Sequence, residues 1–467
     1  MEWGEGRPVP SEPGFPARAF PAQTHRSASM SAYLRFVRGE IPLLCYGLSF
    51  TFLSSFGQTF LVSLFVPALL AEFAITNGEF GAIYAGATLV SAALLPWAGG
   101  WMDRVPLTRF SLSVVLGLSA SAFLMALSWH LWVLVLALLG LRLAGQGLSG
   151  QGLSGQTALT AMARYFGPGR GKALSITSLG FPLGEGLLPL LIAGSIGLMG
   201  WRWSWGVVGI VTLVFFAPAL ILFLRHAGVE LHPRQARPKD LPVRREDKAA
   251  KDRSPPGSHP GDGDGGGGWT RLQVLADPRF WFVLPAALLP PFWITGFFLY
   301  QTAVAELKGW SLPLMASAFI AFAVTRVLLS LATGGVVDRW SARRVFPFSP
   351  VPLAVGFLLL WQVDGVWAAY GFMASFGVSV GISGTVKPAL WAELYGVRHL
   401  GAIQTMMAAL MVVSTAASPV LVGFALDAGV PLERLLAIGI GSVGVGTLLA
   451  LRLYWPSRPL VSGPRSG

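Results

Sequence analysis

Charge is scarce in this chain. Charged residues make up 12% of its 467, against 53% hydrophobic. A soluble globular chain carries about 25% charge, so the composition excludes an ordinary soluble domain and points to a polytopic membrane protein. Cysteine is nearly absent. Cys45 is the single one and sits inside an apolar run, which excludes a disulfide framework and reads as a small core residue. None of the six histidines falls at the middle of an apolar run, and three of them (His226, His232 and His259) lie in a polar linker. With no metal-ligand spacing and no nucleophile–base set, the reading is not an enzyme, and no metal or cofactor is expected. A Gly-x-x-x-x-Gly-Lys-Ser/Thr loop is missing, so ATP is not the expected driving force. The formal net charge of +12 comes without an aromatic-basic groove, which argues against nucleic acid as a partner. No secretory leader is read either: the apolar run from Ile41 is too long and lacks an Ala-x-Ala exit.

What the chain does have is apolar runs. They cover 41–71, 78–101, 106–128, 131–163, 173–198 and 203–224, then 279–304, 312–335, 345–363, 366–391, 400–425 and 431–455. About 20 residues at roughly 1.5 Å each cross a hydrocarbon core of ~30 Å, and lipid offers no partner for a bare backbone, so each run is expected to be a helix. The expected fold class is an all-α membrane protein of twelve transmembrane helices in two pseudo-symmetric six-helix bundles. The bundles are 41–224 and 273–455, joined by a flexible linker over 225–272 that ends in glycines and aspartates. Residues 1–40 read as a disordered tail and 456–467 as a second tail. Met30 opens a compact segment and is a candidate start. Mass spectrometry of the purified N-terminus is expected to show no peptide from 1–29, and finding one overturns that reading. Thr76-Asn77-Gly78-Glu79 reads as a capping box at the head of the second helix.

A polar turn appears twice. Gly99-Gly100-Trp101-Met102-Asp103-Arg104, followed by Arg109, recurs as Gly334-Gly335-Val336-Val337-Asp338-Arg339, followed by Arg343 and Arg344. The copies lie 235 residues apart (99 to 334), so the two bundles are repeats. With the N-terminus inside, the short inner loops carry Arg104, Arg109, Arg164, Arg170, Lys172, Arg339, Arg343, Arg344 and Arg398, while the outer loops carry Arg202, Lys308 and Arg434. That asymmetry places both termini in the cytoplasm and suits the plasma membrane. Further on, Tyr165, Gly171 and Pro189 match Tyr395, Gly401 and Pro419 at an offset of only 230 (165 to 395). Between the two registers lies a tandem pentapeptide, Gly147–Gln151 and Gly152–Gln156. Five extra residues rotate a helix by roughly 140° and add about 7.5 Å. A bulge, break or extension of the fourth helix is therefore expected there. Close packing at these glycines is the alternative, and the two are compatible.

Ionisable residues inside the apolar runs are costly and are functional candidates by default. Arg142 and Glu185 fall near mid-depth of the fourth and fifth runs and are placed to pair. Glu185 is the one acid well inside the membrane. It reads either as the proton-coupling group, since burial favours proton uptake, or as half of a structural ion pair. Arg326 has no acidic neighbour one turn away. Lys387, beside Pro388, lies nearer the inner face, where snorkelling competes with substrate contact. With Arg142 and Glu185 cancelling, two positive charges remain, and an anionic substrate supplies the balance. Gln58, Ser54, Tyr300 and Gln301 are neutral polar candidates for the same midplane site, with Arg142, Arg326 and Lys387.

The repeated turn, with Gly99, Asp103 and Arg104 in one copy and Gly334, Asp338 and Arg339 in the other, resembles the signature loop of the major facilitator superfamily. Pro106, Leu107, Ser341 and Ala342 depart from it. Tyr165-Phe166, Arg170, Lys172-Ala173-Leu174, Gly180, Pro182 and Gly184 are similar to the fifth-helix start of monocarboxylate transporters and oxalate/formate antiporters. The resemblance implies a secondary transporter working by alternating access, a symporter or antiporter of a small organic anion such as a carboxylate, with Arg326 near the helix-8 arginine of that branch. The turn, with Arg109, is then expected to act as a conformational latch. Its partners are the small-molecule substrate, protons and the lipid bilayer, and the chain is read as a monomer. A proton-driven drug or metabolite exporter is the alternative, and a non-transporting sensor on the same fold is a third.

Overall fold

The computed structural model describes residues 33–145, 152–166, 169–228 and 269–454. Met30 with most of the N-terminal tail, Gln146 with the first pentapeptide, most of the linker and the C-terminal tail lie outside the described residues. A short helix, Tyr33–Gly39, belongs to a separate N-terminal unit that ends at Ile41.

Among the described residues every regular element is helical, and each of the twelve apolar runs carries helix. Among the described residues, nine helices are long and apolar enough to cross a membrane. Several spans are single helices: α2 (Asn77–Trp101), α3 (Leu107–Ala126), α8 (Leu312–Trp340), α10 (Val366–Tyr395) and α11 (Leu400–Asp427). Two more, α9 (Ala342–Gln362) and α12 (Leu432–Tyr454), include short 3-10 turns. The stretch Arg170–His226 runs 57 residues, about 86 Å if it were straight. It is instead two spans, α5 (170–199) and α6 (201–226). Gly200 sits at φ +79° between them, and Ser195 Oγ donates to Ser204 Oγ at 2.9 Å, a pair that a straight helix holds roughly 13 Å apart.

Three spans are interrupted. In α1 the helix Ile41–Leu53 gives way to a 3-10 turn, Ser54–Gly57, then an extended Gln58 (φ −82°, ψ 153°), before helix resumes and ends at Phe73. In α7 the helix Pro278–Leu299 breaks at Tyr300 and continues as Gln301–Leu307. In α4 the helix Leu131–Ala144 stops and a second helix, Leu153–Tyr165, follows. Gly145 (φ −79°, ψ −136°) and Gly152 (φ +156°) leave helical geometry, so the fourth run is not one continuous helix; the first pentapeptide, where the irregularity is expected to begin, lies outside the described residues. The second helix is held back onto the first by Ser154 Oγ, which donates to the Ala144 carbonyl. The breaks in α1 and α4 face each other: a Cβ on Gly145 would lie 2.5 Å from Gly57 Cα.

The local start signals behave as their chemistry dictates. Thr76 accepts from the Glu79 amide, while the Glu79 carboxylate accepts from the Thr76 amide at 2.8 Å, so the capping box forms. The outward surface is apolar as lipid requires. Trp132, Trp203 and Trp367 are 79%, 73% and 82% exposed at the starts of α4, α6 and α10, and Trp101, Trp281 and Trp340 are exposed at the opposite level. These are two aromatic belts. The face bearing Asp103 and Asp338 is called here the turn face, and the other the far face. The two bundles meet mainly along α2 with α11 and α5 with α8.

Candidate functional site

A cavity of about 410 Å³ lies between the bundles. Gln58, Phe181 and Glu185 line it from the first bundle; Ala287, Pro291, Phe298, Arg326, Ser383, Lys387, Trp391, Gln404 and Met407 are among its lining from the second. Its walls reach from mid-depth down to Trp391 and Gln404, each about one turn from a helix end on the turn face.

Glu185 and Arg326 meet across this cavity as an ion pair between α5 and α8. The sequence around Glu185 explains the approach. Gly184 packs against the Ser55 side chain, and a Cβ on Gly186 would lie 3.3 Å from the Ala323 Cβ on α8. Glycines on either side of Glu185 thus let α5 press against α1 and α8, and Arg326 sits one turn beyond Ala323. The Glu185 side chain is 5% exposed and that of Arg326 28%. The second carboxylate oxygen, Oε2, is buried with no hydrogen-bond partner among the described residues.

The expected pairing of Arg142 with Glu185 is corrected. Arg142 is buried, but its Nη1 donates to the Gly57 carbonyl at 3.1 Å and to Tyr84 Oη at 2.9 Å. Its guanidinium also lies 4.9 Å from the centre of the Tyr84 ring. The break of α1 at Gln58 frees carbonyls that need a donor, and Arg142 supplies it, aided by Tyr84, which donates to Thr59 Oγ1 at 2.9 Å. Glu185 consequently neutralises Arg326, not Arg142. Snorkelling of Lys387 is corrected too: its Nζ turns inward and donates to the Ala287 carbonyl at 2.7 Å.

Of the neutral candidates, Gln58 lines the cavity; Ser54, Tyr300 and Gln301 are not in its lining. Ser54 Oγ donates to the Thr51 carbonyl. Tyr300 and Gln301 instead close the far face between the bundles. Tyr300 Oη lies 2.7 Å from the Asn77 carbonyl and 2.9 Å from that of Pro419, and Gln301 Nε2 donates to the Phe60 carbonyl and Ser63 Oγ. Asp427, at the end of α11, completes the closure by accepting from the amides of Asn77 and Gly78 and from Asn77 Nδ2. A carboxylate at the first turn of α2 sits where the helix dipole favours it. Gly81 and Gly423 leave no room for a Cβ between the Tyr300 hydroxyl and the facing backbone.

The turn face is held differently. Asp103 pairs with Arg164 inside the first bundle, an exposed contact. In the second bundle Glu393 binds the loop, accepting from Ser341 Oγ and from the amides of Ala342 and Arg343. Arg104, Arg109, Asp338 and Arg339 are exposed there. Added Cβ atoms on Gly99 or Gly334 would meet nothing within 4 Å. Sequence reasoning missed Glu393 and Asp427, whose only signal was an acid near a helix end.

A bundle of broken and continuous spans around a midplane cavity, closed on one face, defines a carrier of the alternating-access class. The Major Facilitator Superfamily model matches residues 48–321, and the chain belongs to that family of secondary transporters, which are not enzymes. Two solved structures share the fold. One is a bacterial homologue of the human lysosomal transporter Spinster, in an inward-facing and unoccupied conformation, at 13% identity and TM-score 0.56, over 88% of this chain and 94% of that one. The other is the nucleoside transporter NupG (D323A mutant), at 12% identity and TM-score 0.63, over 89% of this chain and 100% of that one. No curated protein matches the sequence.

Proposed function

We propose that this transporter carries a small organic anion, such as a carboxylate, across the plasma membrane with proton coupling. The observation that supports this is the Glu185–Arg326 pair in the cavity wall. With Glu185 ionised, Lys387 is the cation left over in the lining; with Glu185 protonated, Arg326 is released and two cations face the solute. A proton and a monoanion that enter together then leave the net charge of the lining unchanged, with Arg326 passing from Glu185 to the solute. The local likeness of residues 165–184 to monocarboxylate and oxalate/formate carriers is in keeping with this. The excess of inner-loop arginines supports cytoplasmic termini, and on that reading the cavity reaches toward the cytoplasm in this conformer.

The test is thermal unfolding of the purified protein with lactate, benzoate and succinate. Stabilisation by at least one of them is expected, about 2.7 kcal/mol at 100 times Kd, and Arg326→Gln is expected to abolish it. A protein indifferent to all three sinks the anion reading. The aromatic and methionine lining (Phe181, Phe298, Trp391, Met407) favours a second reading, export of an amphipathic solute. Stabilisation by hydrophobic cations alone would select it.

The Asp-Arg turns act, in this proposal, when the turn face closes. Gly99 and Gly334 have open space beside them here, so their small size serves the other conformer. Gly99→Ala is expected to keep its melting temperature while slowing anion exchange about tenfold, a barrier increase of roughly 1.4 kcal/mol. Unchanged exchange in proteoliposomes would leave the turn a mere structural loop.

A further inference from the structure

Helix α7 holds three prolines in its interior, Pro285, Pro290 and Pro291. Proline has no N–H, so Pro291 leaves the carbonyl of Ala287, four residues back, without its helical donor. A backbone carbonyl left bare at membrane depth costs several kcal/mol. Lys387 on α10 fills the gap at 2.7 Å. An ammonium has three donors, and Ala287 takes one of them. Ala287 and Lys387 both line the cavity. So does Ser383, one turn before Lys387 on the same face of α10, whose buried hydroxyl has no partner among the described residues. The lysine therefore stands between a structural partner and whatever the cavity holds.

The other end of α7 is the far-face closure. Tyr300 lies thirteen residues past Ala287 (287 to 300), about 20 Å along the helix. There Tyr300 and Gln301 grip Asn77, Phe60 and Ser63 of the first bundle. Pro290 and Pro291 fall between the two ends, where a helix bends most readily. One helix thus touches both the cavity and the closure, with its weak point in between.

We infer that Lys387 is a positioning residue of the transport cycle. Bound to the Ala287 carbonyl, it holds α7 in the conformation in which the far face is closed. An anion in the cavity takes the ammonium in exchange, and α7 is freed to move at Pro290 and Pro291. A carboxylate competes for the ammonium because it adds a full opposite charge to the hydrogen bond, where the neutral carbonyl offers only a dipole. This exchange rests on the anion reading above; the holding of α7 does not.

Hydrogen exchange of the full chain, read by mass spectrometry over residues 293–307, separates the two parts. Without added anion, Lys387→Met is expected to speed exchange there roughly tenfold, the equivalent of about 1.4 kcal/mol, and to leave α3 unchanged. Lys387→Gln keeps a donor for the carbonyl and is expected to exchange like the unaltered protein. Succinate or benzoate is expected to speed exchange of 293–307 in the unaltered protein and to leave Lys387→Gln unmoved. The inference is overturned if Lys387→Met leaves 293–307 unchanged, or if Lys387→Gln answers the anions as the unaltered protein does. Should neither anion stabilise the unaltered protein, the anion reading fails while the Lys387→Met result still decides the role of the lysine in holding α7.

Discussion

Glu185→Gln is expected to remove proton-driven accumulation and to leave a protein that depends on anions for its stability. The carboxylate is the only acid in the cavity lining among the described residues, and it neutralises Arg326. Removing one member of a buried pair strands the other at a cost of about 3–5 kcal/mol. Arg326 keeps 28% of its side chain exposed, so the lower end of that range applies. An anion that reaches Arg326 offsets the loss. Three results follow from one substitution: a lower melting temperature without anion, recovery with anion, and flux that no longer answers an imposed pH gradient. Exchange of anion for anion is expected to persist, since it needs no net proton movement. Flux that still follows the gradient in Glu185→Gln would exclude this residue as the proton carrier and leave the pair a structural one.

Asp427→Ala is expected to open the far face. This carboxylate joins α11 to the head of α2 through three hydrogen bonds, and the α2 dipole adds to them. Hydrogen bonds to a charged group contribute about 1.5–3 kcal/mol to stability. The contact is exposed, so a loss near 1.4 kcal/mol, a tenfold shift in the conformer ratio, is the conservative expectation. Ser418 is fully buried beside the Tyr300 contact at Pro419 and makes a suitable reporter. In a Cys45→Ser, Ser418→Cys protein, thiol labelling from the far face is expected to rise about tenfold when Asp427 becomes Ala. A labelling rate that does not change would show that Tyr300 and Gln301 close this face unaided.

The fold was legible because lipid imposes few solutions. Run length, loop arginines and the 235-residue repeat led to two six-helix bundles, and the register slip to 230 located the break in α4. Single residues were legible where their partners are close in sequence, as in the Thr76–Glu79 box. The charged site was only half legible. Glu185, Arg326 and Lys387 stood out as ionisable groups in apolar runs, yet their pairing did not. Depth alone matched Arg142 with Glu185, because both lie near mid-membrane on consecutive helices. What depth leaves out is rotation about the helix axis. The breaks at Gln58 and Gly145 turn Arg142 toward bare carbonyls of α1, while Gly184 and Gly186 turn Glu185 toward α8.

The sequence by itself determined that this chain spans a membrane, that it is duplicated, and which few charges lie inside its apolar runs. Those follow from composition and spacing, which act locally and survive any packing. The tertiary structure decided which charges meet. Arg326 takes Glu185 because glycines bring α5 onto α8 across 141 residues of chain. Lys387 takes Ala287 because Pro291 empties a carbonyl on a different helix. Asp427, unremarkable in sequence, closes a face because the head of α2 presents its free amides there. Each of these contacts satisfies a group that hydrocarbon would leave bare, and only the assembled bundle shows which donor is within reach.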